Sequence, residues 1–129
     1  MPKLFKPRVI ASESQEQQAL FKWKAYNIRA VPELFLLHHI PNGGLRDKIT
    51  ARHMKEQGVM AGIPDISLPV ARGGYHGMYI EMKVGNNKPS ERQQECIKWL
   101  REQGYRVEIC YGWVEAAEAI KEYLSDKTA

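Results

Sequence analysis

The sequence predicts an α/β fold: a small mixed β-sheet flanked by helices, in one domain. Three observations carry this. Two segments with polar starts and apolar stripes at helical spacing open with Ser-x-x-Gln capping boxes, Ser12–Gln15 and Ser90–Gln93. Two β-type runs flank a Gly73-Gly74 turn in the middle of the chain. A third such run, Arg106–Tyr111, lies between two helical segments near the end. The predicted order is α-β-α-β-β-α-β-α around one sheet.

Each element has a local reason. Ser12 caps a helix that runs to about Arg29, ahead of Pro32. Leu20, Trp23 and Ile28 lie on one side of it, and Phe21 and Ala25 widen the stripe. Leu34–Ile40 reads as a short buried strand stopped by Pro41, and Pro41-Asn42-Gly43-Gly44 is a turn. Arg46–Gln57 forms a helix closed by Gly58. Pro64–Val70 and Gly77–Val84 form a hairpin around Gly73-Gly74. Ser90 starts a helix that ends near Gly104, and Val114–Leu124 is the closing helix. Residues 1–11 read as a loose basic arm, leaving 12–129 as the domain.

Composition narrows the function classes. The 129 residues are 43% hydrophobic and 26% charged, which suits a globular chain and not a disordered one. The net charge of +4 favours polyanionic partners. Cys96 and Cys110 form neither a disulfide framework nor a CxxC metal pair, and read as buried thiols in a reducing compartment. The first ten residues lack the apolar run of a signal peptide, and no apolar stretch is long enough to span a bilayer. A cytoplasmic location is expected.

The chemistry concentrates at Glu81-Met82-Lys83. In a strand, residues two apart share a face, so Glu81 and Lys83 project together while Ile80, Met82 and Val84 face the core. A turn centred on Gly73-Gly74 places Asp65 opposite Met82, level with the space between Glu81 and Lys83; a slip of one residue would set it beside one of them. Two carboxylates this close repel unless a cation holds them, and their oxygens suit Mg²⁺ or Mn²⁺ better than zinc. An ion bound by Asp65 and Glu81 would activate water and neutralise charge on a phosphate. Lys83 would position or deprotonate the attacking water, or balance transition-state charge. The Met82 carbonyl is a further candidate ligand. Taken alone, Glu-x-Lys on a strand is usually a solvated ion pair; the Pro64-Asp65 dipeptide and the hairpin spacing are what favour a site.

These residues, with Glu13 and Gln17, Pro41-Asn42-Gly43-Gly44, Gly58, Gly62-Ile63-Pro64-Asp65, Ser90 and Gln93, resemble the VRR-NUC branch of the PD-(D/E)xK nuclease superfamily, especially its small stand-alone phage and bacterial members. The similarity runs from Ser12 to Leu124. The resemblance implies a restriction-endonuclease-like core. It implies a homodimer that hydrolyses phosphodiester bonds of branched DNA, such as Holliday junctions. It also implies Asp65 and Glu81 as metal ligands and Lys83 as the catalytic lysine. A first-helix glutamate is implied to complete the acidic cluster; Glu13, four residues before Gln17 on one face, fits better than Glu16. Either glutamate also suits a helix N-terminus on dipole grounds alone. Gln93 closes a capping box and, by the resemblance, also reaches toward the site.

Remaining candidates concern nucleic-acid contact. Asn42 and Gly43 in the turn, Arg46, Lys48, Arg52 and Lys55 on the second helix, Arg72 in the hairpin loop and Lys88 beside the site would meet phosphate, giving structure preference and not base reading. Of His38 and His39, one is expected packed and one solvated. Trp23, Trp99 and Trp113 are expected in the core or a dimer interface. The alternatives are a non-catalytic nucleic-acid-binding module and a flap or nicking nuclease acting within a larger complex; a decayed nuclease would be expected to lose Asp65, Glu81 or Lys83, and all three are present.

Overall fold

The computed structural model describes residues 11–41 and 47–128. The expected arm, except Ala11, lies outside them, as do Asn42, Gly43 and Arg46. Four helices, α1 (Glu13–Asn27), α2 (Lys48–Glu56), α3 (Glu91–Glu102) and α4 (Trp113–Ser125), accompany four strands, β1 (His38–His39), β2 (Ile66–Leu68), β3 (Met78–Lys83) and β4 (Arg106–Tyr111). The sheet order is β1-β2-β3-β4. The first two pairings are antiparallel and β3–β4 is parallel, with α3 as the crossover. This is the mixed sheet flanked by helices that the element order predicts. No helix among the described residues is long and apolar enough to cross a membrane.

Both capping boxes form. Ser12 Oγ accepts from Gln15 N and Gln15 Oε1 from Ser12 N, and Ser90 and Gln93 repeat the arrangement. α2 begins at Asp47, whose carboxylate accepts from Thr50 N at 2.8 Å, and ends as expected at Gly58, with Val59 N donating to Met54 O at 2.9 Å.

The strand expected over Leu34–Ile40 does not form as such. Pro32 starts a 3-10 helix, Pro32–Leu36, and only His38 and His39 pair with β2. Leu34 and Leu37 are both fully buried; their three-residue spacing matches a 3-10 turn, in which side chains three apart eclipse, and not the two-residue period of a strand.

The hairpin turn sits where expected. Arg72 and Tyr75 bridge across Gly73 and Gly74, whose φ values of 54° and 84° require glycine-like freedom. The ladder below it runs Ile66–Ile80, Ser67–Tyr79 and Leu68–Met78, one residue out of register with the turn. An extra residue between Leu68 and Arg72 absorbs the offset, as in a bulge. Extended to the next position, Asp65 is level with Glu81 and not Met82.

One face of the sheet makes the main core. Ile66, Leu68, Met78, Ile80, Met82 and Cys110 pack against Leu20 of α1, Leu34 and Leu37, and Ala116, Ala117, Ile120, Tyr123 and Leu124 of α4. Phe21, Trp23, Ile28 and Trp113 flank this cluster, whereas Ala25, expected in the stripe, is exposed. Val84 lies past the end of β3 and is half-buried. The opposite face is covered by α3, whose Cys96 and Ile97 are buried with Val107 outside that cluster. Both cysteines are free and buried, and burial pushes the Cys110 thiol up to about 12. Trp99, by contrast, is 60% exposed on α3.

Candidate active site

Sheet alternation directs Glu81 and Lys83 away from the main core, beneath α3. They are not half-solvated there: Glu81 is 1% and Lys83 7% exposed. Gln93, in the first turn of α3, donates from Nε2 to Glu81 Oε1 at 3.2 Å while its own Oε1 accepts from Ser90 N. One side chain thus caps the helix and touches Glu81.

Asp65 arrives from the adjacent strand end. Its Oδ2 accepts the Met82 amide at 2.9 Å, which fixes the carboxylate beside Glu81. Its carbonyl accepts from Ile40 N at 2.7 Å, and the His39 ring Nδ1 lies 2.8 Å from the same oxygen. Edge strand β1 therefore braces the backbone of Asp65, a contact that the sequence gives no signal for. Both histidines are exposed, which corrects the expectation of one packed and one solvated; the His38 ring meets Leu36 O.

Lys83 Nζ stands 3.7 Å from Glu81 Oε1 and 3.9 Å from Glu13 Oε1. The first turn of α1 thus delivers Glu13 to the rim of the site. Glu16 does something else: its Oε2 accepts from Trp113 N at 3.3 Å and so caps α4 across the α1–α4 contact. Of the two first-turn glutamates, only Glu13 reaches the Asp65–Glu81–Lys83 group.

The electrostatics are unbalanced. Glu81 Oε2 is buried and has no hydrogen-bond partner. Burial first, and then the Asp65 carboxylate, push the Glu81 carboxyl up to about 8, against the opposing pull of Lys83. Without a cation the Glu81 carboxyl keeps a proton beside the Asp65 carboxylate; a divalent cation held by these hard oxygen donors would take that proton's place. Among the described residues no three His, Cys, Asp or Glu side chains stand together as a ready ligand cluster. Glu13 lies on the lysine and not on the acid pair, and it is the Met82 amide, not its carbonyl, that contacts Asp65.

The expected phosphate-binding residues divide. Lys48, Arg52 and Lys55 are exposed on α2, with Arg52 3.8 Å from Glu56, and Lys88 is exposed in the β3–α3 connection. Arg72 is a correction. Its guanidinium pairs with Glu33 at 2.8 Å and donates to Leu124 O and Ala71 O, tying the hairpin tip to the 3-10 helix and the end of α4. A cation held within the fold by its own carboxylate is a structural strut.

A carboxylate pair and a lysine at the end of a parallel-antiparallel junction, between a capped helix on each side, define a nuclease-like α/β domain. The VRR-NUC domain family model matches residues 8–113. A solved structure described as a VRR_NUC domain protein aligns at 30% identity with a TM-score of 0.76, covering 91% of this chain and 91% of that one. The comparison with curated proteins gives no significant match. The chain belongs to the VRR-NUC domain family.

Proposed function

We propose that this protein is a Mg²⁺- or Mn²⁺-dependent endonuclease that hydrolyses phosphodiester bonds of branched DNA, such as Holliday junctions, and works as a homodimer. The observation that carries the reading is Glu81 Oε2: a buried carboxylate oxygen with no partner, beside Asp65 and with a lysine ammonium 3.7 Å from its other oxygen. Asp65 and Glu81 would hold the ion, with the Met82 carbonyl and Glu13 as further ligands. When bound, the ion supplies charge neutralisation at the phosphate and a more acidic water.

The chain's own groups do the rest. Gln93 holds Glu81 by one oxygen and leaves the other for the cation. The Met82 amide fixes the Asp65 carboxylate. Lys83, set between Glu81 and Glu13, orients the attacking water and offsets charge that builds on the phosphate. Lys48, Arg52, Lys55 and Lys88 offer sequence-independent phosphate contacts. In a symmetric dimer two such sites would face two strands of a junction.

The experiment is cleavage of labelled four-way junctions, flaps, bubbles, duplexes and single strands with each metal, beside a measurement of molecular mass in solution. Lys83→Ala is expected to lose at least about 100-fold in cleavage rate while still binding DNA. A Lys83→Ala variant that cuts as fast as the parent would overturn the site. A monomeric mass would remove the dimer.

A further inference from the structure

We propose that Tyr111 is a positioning residue for nucleic-acid binding, acting by tethering the loop that carries Lys88. The inference rests on the reading above only in taking Lys88 as a phosphate contact.

Tyr111 is the last residue of β4 and is the register partner of Lys83, so in this parallel pair the two side chains leave the sheet on the same face. The pairing is closed just beyond them by Gly112 N donating to Lys83 O at 3.1 Å. Tyr111 is 39% exposed, so its ring is not a core group. Its hydroxyl donates to Asn87 O at 2.8 Å. Asn87 sits in the middle of the six-residue connection between Lys83 and Ser90. That connection is otherwise weakly held: it has the turn bond from Asn87 N to Val84 O, and its far end is caught by Gln94 Nε2 on Pro89 O. Gly85, Asn86, Asn87 and Lys88 are all exposed, and no ion pair holds Lys88 among the described residues.

A lysine on a loose loop loses conformational freedom when it meets a phosphate, and that loss weakens binding. Fixing the preceding carbonyl to the sheet removes part of the loss beforehand. The phenol is suited to this task because it leaves the sheet on the same face as Lys83 and its O–H reaches across to the loop. The net worth of one such hydrogen bond corresponds to about a fivefold change in affinity.

The test is a fluorescence-anisotropy titration of the full chain with a labelled four-way junction in EDTA, for the parent, Tyr111→Phe, Tyr111→Ala, Lys88→Ala and the Tyr111→Phe/Lys88→Ala double variant. Amide hydrogen exchange is followed at residues 85–88. Tyr111→Phe is expected to weaken binding about fivefold, to speed exchange at 85–88 alone, and to add nothing once Lys88 is gone. Effects that multiply in the double variant would overturn the tether. So would Tyr111→Phe binding like the parent while Tyr111→Ala binds weakly, which would make the ring a stacking surface instead. Unchanged exchange in Tyr111→Phe would overturn it whatever the activity. Absence of cleavage by the parent on every DNA, with these binding and exchange changes intact, would remove the nuclease reading and leave the tether standing.

Discussion

Glu81 is the residue on which the site turns. Its carboxyl is held up near 8 by burial and by Asp65, so without metal the folded state keeps a proton that the unfolded chain releases near 4.5. Between those values the folded protein binds more protons than the unfolded one, and stability falls as pH rises. In EDTA, denaturant unfolding is expected to show lower stability at pH 9 than at pH 5, by up to a few kcal/mol. Glu81→Gln, neutral at both, should flatten that dependence. A parent protein equally stable at both pH values would contradict the raised Glu81 carboxyl. Lys83 and Gln93 belong to the same scale, since both approach Oε1 of Glu81.

The helices matter here for what their first turns deliver. α1 sends Glu13 to Lys83 and Glu16 to the amide of Trp113. The two variants should therefore separate: Glu16→Ala is expected to cost about 1 kcal/mol of stability through the lost cap, with Mn²⁺ affinity unchanged. Glu13→Ala should weaken Mn²⁺ affinity with little effect on unfolding. Calorimetric titration and a denaturant melt read both, and the reverse pattern would return Glu16 to the site. The segment before Asp65 is also tightly placed. Gly62 has φ 87°, and a Cβ there would lie 2.7 Å from Arg92 Cγ and 2.9 Å from Arg92 O on α3. Gly62→Ala is expected to destabilise by at least about 1–2 kcal/mol from backbone handedness alone. Because the neighbour includes backbone, relief would have to displace α3, and Gln93 with it; a melt and a cleavage rate both matching the parent would show that the segment yields freely.

Across the whole molecule, binding to DNA should be governed by the exposed cations. Affinity is expected to fall linearly with log salt, and Lys88→Ala should reduce the slope by about 1. Arg72→Ala, measured where it remains folded, should leave the slope unchanged because that guanidinium is engaged by Glu33 and by carbonyls within the fold. A slope reduced by Arg72→Ala would return it to the DNA-facing surface.

The sequence by itself determined what depends on neighbours in the chain. Two-residue periodicity put Glu81 and Lys83 on one face, Gly73-Gly74 set the turn, and Ser-x-x-Gln marked the starts of α1 and α3. Each is a local steric or hydrogen-bonding rule that a few residues satisfy alone. Tertiary structure decided what depends on elements far apart in the chain. The extra residue between Leu68 and Arg72 moved Asp65 level with Glu81. Packing of α1 on α4 assigned Glu16 to a cap and left Glu13 for the site. The end of α4 and the 3-10 helix claimed Arg72. The surroundings of Glu81 are set by Gln93 of α3 and by Asp65 from the neighbouring strand end. Side-chain type is visible in a sequence, but desolvation and partner choice are set by what packs against that side chain.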